Sequence, residues 1–141
     1  MPGPAGYSGT PLGRKLGLKP GMRVRLLSPP DHYWSLFGAE VDPDALELLP
    51  PRSRSAADFT HLFATRLDEL QKGLVRARER MTKDGLVWVS WPKKASSVDS
   101  EIGRAEVMAE GKVVGLVDVK VCAVDQDWSG LKFVIPVKDR G

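Results

Sequence analysis

Apolar residues recur at helical spacing in the middle of the chain, at Leu67, Leu70, Leu74, Ala77 and Met81. Steps of three and four residues place these side chains on one face of an α-helix, which the turn sequence KDG ends. The stretch LVWVSW follows at 86–91. Its short length and its β-branched and aromatic content predict a strand that is buried on both faces.

The first half of the chain shows shorter patterns of the same two kinds. Thr10 and Pro11 predict the start of a short helix, and Gly17 predicts its end. MRVRLLS predicts a strand with Val24 and Leu26 on one face. DHYWSLFGA predicts a short helix, and ALELLP and DFTHLFAT predict two further strands.

A second helix and a pair of strands are predicted towards the C-terminus. Residues 98–112 place Ile102, Ala105 and Ala109 on one helical face, with Ser96 and Asp99 as a capping box at its start. Valines alternate with other residues in VDVKVCAV, and apolar residues alternate again in LKFVIPV after the loop DQDWSG. Two period-two strands joined by a short polar loop predict a β-hairpin.

Strands that alternate with helices predict a parallel sheet with right-handed crossovers and helices on both faces. The predicted fold class is therefore α/β, a three-layer Rossmann-like, mostly parallel sheet with a C-terminal antiparallel hairpin. We expect a single domain over residues 1–141, with 1–10 as a flexible N-terminal segment. Over residues 18–135 the order of elements resembles Rossmann-like methyltransferases, which implies a fold and not an activity.

Composition narrows the class of protein. The chain has 141 residues, of which 42% are hydrophobic and 28% are charged, as in globular domains. A lone cysteine, Cys122, excludes an internal disulfide, and no apolar run approaches the roughly 18 residues of a membrane span. We therefore expect a cytoplasmic protein that does not enter a membrane. The net charge of +3 is modest, and separate basic and acidic blocks, 1–30 and 31–50, argue little for nucleic-acid binding.

Three longer segments resemble a bacterial family known only as a domain of unknown function, number 3052: YSGTPLGRKLGLKPGMRV, WVSWPKKAS and GLVDVKVCAVDQDWSGLKFV. The resemblance spans nearly the whole chain and is least over residues 31–58. It implies a cytoplasmic, bacterial, single-domain protein. It carries over no catalytic residue, because the family has no established activity.

The loop after the first predicted strand argues against the usual methyltransferase site. That fold binds S-adenosylmethionine at a Gly-rich loop there, with an acid after the second strand on the ribose. Here the loop reads SPPDHYW, without glycine and with two prolines that lack backbone donors. The acid-rich VDPDALE does not restore the pattern, and no cofactor is predicted. The alternative is a divergent S-adenosylmethionine-dependent methyltransferase, whose loop 28–34 would be open, whereas a binding module would have it packed shut.

The junction WPKKASS is the candidate ligand site, because ligands of such sheets bind outside the carboxyl ends of the strands. The helix predicted to follow would direct its N–H groups and positive dipole end towards Lys93 and Lys94. The predicted anion site comprises Trp91, Lys93, Lys94, Ser96, Ser97 and Trp128. In the alternative interpretation, Pro92 merely ends a strand, the lysines are solvated and the serines cap a helix.

Two further elements leave alternatives open. Trp128 is either a stacking surface for a ring or a lid packed on the end of the sheet, whereas Trp88 is predicted in the core and Trp91 at the cleft. The N-terminal segment is either a clamp, anchored by leucines of the first helix, or a completion of the pocket through Tyr7, Ser8 and Thr10.

The long helix carries cations at positions i, i+4, i+8 and i+11, namely Lys72, Arg76, Arg80 and Lys83. Such a stripe is either a track for a phosphate backbone or the solvated face of an amphipathic helix. No aromatic residues interleave with it, which weakens the case for single-stranded nucleic acid. A nucleic-acid binder is therefore an alternative, and it predicts steeply salt-dependent affinity.

The inventory of reactive groups favours a non-catalytic protein. His32 and His61 lie in different predicted elements, and Cys122 has neither a CxxC neighbour nor an evident His partner. No GxSxG, HExxH or P-loop pattern occurs, and no metal site is predicted. We therefore predict a small binding or regulatory module that holds an anionic small molecule or a protein partner at the carboxyl edge of the sheet.

Overall fold

The computed structural model describes residues 11–141 and contains a single six-stranded sheet within them. Its strands are β1 (Arg23–Leu27), β2 (Glu47–Leu48), β3 (Ala57–Phe63), β4 (Met81–Pro92), β5 (Val117–Ala123) and β6 (Trp128–Val134). Their spatial order is β2-β1-β3-β4-β6-β5. The first four run parallel, whereas β6 is antiparallel to both β4 and β5. The predicted α/β class, with a mostly parallel sheet and a C-terminal hairpin, is confirmed.

Helices cover both faces of this sheet. They are α1 (Leu12–Leu16), α2 (Leu67–Glu79), α3 (Arg104–Val113) and short 3-10 helices at Tyr33–Phe37, Pro43–Ala45 and Val137–Asp139. The buried face of α2 joins one core cluster with α3 and the sheet, and α1 joins a second cluster with the 3-10 helix Tyr33–Phe37. Within residues 11–141, no helix is long and apolar enough to cross a membrane.

The two cores follow from the alternation of side chains along the central strands. Val87 and Val89 of β4 pack with α2 and α3, whereas Trp88 between them packs with α1 and the 3-10 helix. The Trp88 indole N–H donates to the Leu16 carbonyl at 2.7 Å, which fixes α1 against the sheet. Trp88 is a core residue, as predicted.

The alternation predicted for β5 is wrong beyond its first residues, because a β-bulge interrupts the strand. Asp118 lies opposite Phe133 and Lys120 lies opposite Lys132, so Val119 is the extra residue. Lys120 therefore shares a face with Cys122 and with Val117, and its amine donates to the Lys15 carbonyl of α1 at 3.2 Å. The bulge and the edge lysine make β5 a poor template for a further strand.

The predicted start of the second helix is also wrong. The helix α3 begins at Arg104 rather than near residue 98, and Glu106 accepts the Gly103 N–H at 2.7 Å. Ser96 and Asp99 form no capping box at a helix N-terminus. The segment before α3 is instead tied to the end of β3, since the Glu101 N–H donates to the Thr65 carbonyl at 2.9 Å.

The predicted i+11 position of Lys83 on the long helix is wrong as well. The helix α2 ends at Glu79, and the chain enters β4 at Met81. Lys83 lies in an irregular part of β4, between the pairs Ala57–Met81 and Phe59–Leu86. The basic stripe on α2 and its C-cap is therefore Lys72, Arg76 and Arg80.

Candidate functional site

The loop after β1 folds back onto the sheet through Tyr33. Its hydroxyl lies 3.0 Å from Nδ1 of His61 on β3, whose Nε2 lies 2.8 Å from the Ser90 hydroxyl on β4. Tyr33 is 2% exposed, and His61 and Ser90 are fully buried. The three side chains thus link the loop to two central strands in a closed hydrogen-bonded chain.

Aromatic packing fills the rest of this space. The Tyr33 ring meets Phe37 and Phe63 edge to face at centroid distances of 5.3 and 5.7 Å, and His61 stacks on Phe63 at 4.3 Å. Trp128 completes the group with an edge contact to Phe63 at 5.0 Å. Of the two interpretations of Trp128, its geometry matches the lid packed on the end of the sheet.

Burial keeps this network uncharged. It lowers the pKa of His61 from 6.5 to about 3, and it raises the pKa of Tyr33 well above its usual value of 10.0. A neutral imidazole donates through one ring nitrogen and accepts through the other, so both of its nitrogens are satisfied by the Tyr33 and Ser90 hydroxyls. Because Tyr33, His61 and Ser90 are all buried, their hydrogen bonds hold the loop against the sheet.

The predicted anion site after β4 is only partly assembled. Lys93, Lys94, Ser96 and Ser97 lie in one turn, which the Ser96 N–H closes by donating to the Lys93 carbonyl at 2.9 Å. Asp127 of the β5–β6 loop takes the Ser96 hydroxyl at 3.0 Å and, through its carbonyl, the Lys93 N–H at 2.8 Å. The late start of α3 removes the helix N-terminus that was expected here, and the Asp127 carboxylate is engaged by the Ser96 hydroxyl.

The aromatic residues predicted for that site do not flank it together. Trp91 is 6% exposed and packs in the core beneath α2 and α3, which corrects its predicted position at the cleft. Its strand neighbours explain this, because Trp91 shares a face with Val87 and Val89. The predicted pocket-completing residues Tyr7, Ser8 and Thr10, like the rest of the expected flexible segment, lie outside the described residues.

A groove opens instead on the face of the sheet that carries α2, between this helix and the end of β1. It has a volume of about 380 Å³. Its apolar lining comes from Leu27, Pro29, Pro51, Leu62 and Gly73, and its charged lining from Glu69, Lys72 and Arg76. A second hollow of about 390 Å³ continues along α2, shares Lys72 and Arg76 with the first, and reaches Val75 and Arg80.

Three arginines place positive charge near the C-terminal end of α2, where the groove ends. Arg25 of β1 is fully buried and donates to the carbonyl oxygens of Arg80, Ser53 and Ser55 at 2.7–2.8 Å. Burial, and then repulsion by Arg80 and Arg76, lower the pKa of Arg25. No ion pair among residues 11–141 involves Lys72 or any member of this arginine cluster, Arg25, Arg76 and Arg80.

The acids beside the groove do not cancel this charge. Glu69 accepts the backbone N–H groups of Thr65 and Arg66 at 3.2 and 3.1 Å, so its carboxylate is held at the N-terminus of α2. Glu79 lines the second hollow with Arg76 and Arg80, where it offsets part of their charge without an ion pair to either in the described chain. The groove therefore favours an anionic ligand that also has apolar surface.

Other reactive groups do not form a site in the part of the chain that the structure describes. No three His, Cys, Asp or Glu side chains there are grouped as metal ligands. Cys122 is buried, and burial raises the pKa of its thiol, so the reactive thiolate form is disfavoured.

Sequence reasoning did not identify Arg25 or the Tyr33–His61–Ser90 chain. Arg25 had a readable signal, because a charged residue in the interior of a parallel strand needs specific partners when it is buried. The contacts of His61 with Tyr33 and with Ser90 join residues 28 and 29 positions apart, and no local pattern marks them.

The arrangement defines the class of protein as a methyltransferase-like Rossmann fold with a closed first loop. Similar solved structures include a putative type 11 methyltransferase from Sulfolobus solfataricus, with a TM-score of 0.62, 16% identity and 91% of each chain covered. A precorrin-6y C5,15-methyltransferase from Geobacter metallireducens GS-15 has a TM-score of 0.60 and 8% identity, with 88% of this chain and 85% of that chain covered. The N-methyltransferase NodS from Bradyrhizobium japonicum WM9 has a TM-score of 0.55 and 10% identity, with 89% and 92% covered. At these identities the likeness is one of fold.

The sequence places the protein more narrowly. It belongs to the family described as a protein of unknown function, DUF3052, whose model matches residues 40–137. No curated protein matches the chain. The resemblance noted in the sequence is therefore confirmed as family membership.

Proposed function

We propose that this domain is a non-catalytic binding module that holds an acidic, partly apolar ligand in the groove beside α2. The observation that carries the proposal is the position of Tyr33. Its side chain occupies the space beside the end of β1, where a methyltransferase-like fold would need an open loop, and it is anchored to His61 at 3.0 Å. The neighbouring groove offers Lys72 and Arg76 without ion-pair partners in the described chain.

A divergent methyltransferase is the competing interpretation. Opening the loop would break the buried hydrogen bond of Tyr33 and expose its ring and that of Phe37. Losing one such hydrogen bond costs about 1–3 kcal/mol, and exposing two aromatic side chains costs about 3–6 kcal/mol more. A bound cofactor would have to supply this free energy, which makes weak or absent binding the expected result.

A thermal-shift series tests the proposal. The full chain is heated with S-adenosylmethionine, its demethylated product, inorganic tripolyphosphate or a short polyglutamate. A ligand at a hundred times its dissociation constant stabilises the fold by about 2.7 kcal/mol, which is several degrees for a domain of this size. We expect a shift with the acidic probes and none with the two cofactor forms.

A paired variant locates the effect. Lys72→Ala with Arg76→Ala removes two exposed cations from the groove, and Arg104→Ala with Lys112→Ala removes two from the exposed face of α3 as the matched control. The first pair should abolish the shift with polyglutamate and the second should retain it. A shift with S-adenosylmethionine, or equal loss in both pairs, would contradict the proposal.

A further inference from the structure

The helical layer on the α2 face of the sheet is incomplete. In this layer α3 contacts β5 and β6, and α2 contacts β3 and β4. The outer strands β1 and β2 carry no helix on this face within residues 11–141. The connection between them, residues 28–46, runs over the opposite face, where Tyr33 and Phe37 join the second core. Parallel sheets are usually covered by helices on both faces. Here the loop 50–56 covers Arg25 of β1 instead, which leaves a groove between Pro51 and α2.

The groove is long enough for a short helix. From Glu69 to the C-cap Arg80 its wall spans 12 residues of sequence, and these 11 steps are about 16 Å at 1.5 Å per residue. Packed helices lie about 8–10 Å apart, and their ridges interlock through small residues. Gly73 lets α2 pack closely on Leu62 of β3, because an added Cβ would lie 2.5 Å from the leucine side chain.

The side chains that line the groove indicate which kind of helix would bind there. Lys72, Arg76 and Arg80 repeat every four residues, which is about 6 Å along the axis. Between and opposite them lie exposed apolar groups, since Val75 is 46% exposed and Pro29 and Pro51 border the groove. A complementary helix would carry carboxylates at a four-residue repeat beside an apolar stripe.

We infer that the groove beside α2 is the docking site for an acidic amphipathic helix of a partner protein, which would lie along α2 next to the loop 50–56. This inference rests on the proposed function and names its ligand. A nucleic acid fits less well, because the apolar border has no counterpart on a phosphate backbone and no aromatic side chain lines either hollow for a base to stack on. Binding of a charge-complementary helix in this groove needs both the apolar stripe and the carboxylates of the partner helix.

Designed peptides test the inference on the full chain. The first is a labelled helical 15-mer with Glu at i, i+4 and i+8 beside a stripe of Leu at i+3 and i+7. The second has the same composition in a shuffled order that destroys the stripe. In fluorescence anisotropy we expect the patterned peptide to bind at least tenfold more tightly than the shuffled one.

Charge reversal locates the binding and guards against misfolding. Lys72→Glu with Arg76→Glu should lose the patterned acidic peptide and gain the same peptide with Lys in place of Glu. The pair Arg104→Glu with Lys112→Glu on α3 should behave as the unmodified chain. Because the reversed variant acquires a new ligand, a loss of acidic peptide cannot be ascribed to unfolding.

The outcomes separate the two levels of the account. Equal binding of patterned and shuffled acidic peptides, lost on charge reversal, would overturn the helix and leave the basic groove as a site for acidic ligands. Tripolyphosphate or single-stranded DNA that competes fully with the patterned peptide, and binds more tightly, would also overturn it in favour of a polyanion. If no acidic probe binds, both the helix and the proposed function fail.

Discussion

Acidification should destabilise this fold through His61, and the effect tests the closed loop directly. The ring is fully buried between Tyr33 and Ser90 with no charged neighbour among its hydrogen-bond partners. Burial lowers its pKa from 6.5 to about 3. A base whose pKa falls on folding takes up its proton in the unfolded state first. Stability is therefore intact above about pH 6.5 and is lost as the pH falls towards 3.

The size of the effect follows from linkage. At about pH 4.5 the unfolded imidazole is almost fully protonated and the folded one is almost neutral. The difference relative to pH 7 is about 2–3 kcal/mol in the free energy of unfolding. For a domain of this length, that corresponds to a fall in Tm of about 10 °C.

The assay compares the unmodified chain with His61→Gln. Glutamine keeps a donor and an acceptor in the pocket but does not titrate, so the variant isolates the histidine from the carboxylates. Urea denaturation at pH 7 and at about pH 4.5 gives the free energy of unfolding of each. At pH 7 the variant should be less stable than the unmodified chain. On acidification its free energy of unfolding should fall by about 2–3 kcal/mol less than that of the unmodified chain. An identical loss in both chains would show that His61 is solvated, and the closed loop would be refuted.

Three further changes probe other parts of the account. Arg25→Lys should cost about 2–4 kcal/mol in urea denaturation, because an ammonium group cannot reach the carbonyls that the planar guanidinium joins; a loss under about 0.5 kcal/mol would contradict its role. Gly111→Ala should destabilise by about 1–3 kcal/mol, since the new methyl group meets the buried ring of Phe133; a gain from helix propensity would contradict that packing. Lys93→Ala with Lys94→Ala should leave polyglutamate binding unchanged, and a loss in a thermal-shift titration would move the ligand to the turn after β4.

The fold was predictable because its signals are local. The helix predicted from the spacing of Leu67 to Ala77 and the strand predicted from the apolar run of β4 are present in the structure. The predicted hairpin of β5 and β6 is also present. The start of α3 was not predictable in the same way. Ser96 and Asp99 satisfy the capping pattern, but hydrogen bonds from residues 100 and 101 to Thr65 hold the segment in another conformation. Tertiary contacts outweighed local preference there.

The candidate site was predictable only in part. The proline loop after β1 predicted a site unlike the usual one, which stays a prediction, and Lys72, Arg76 and Arg80 were recognised as a stripe. What the stripe faces depends on Pro29 and Pro51, which come from distant loops. The position of Pro51 in turn depends on Arg25, whose guanidinium holds the carbonyls of Ser53 and Ser55. Such assembly of a groove from separate segments leaves no periodic trace in the sequence.

Amide chemical-shift mapping by NMR, during titration of the full chain with polyglutamate, tests the central claim most directly. The account predicts shifts centred on Ser28, Gly73 and Arg76, with Tyr33 and its neighbours unmoved because the loop stays closed. Shifts centred on the turn 93–97, or on Tyr33 and Trp128, would contradict it and place the ligand at the turn after β4 or at the closed loop.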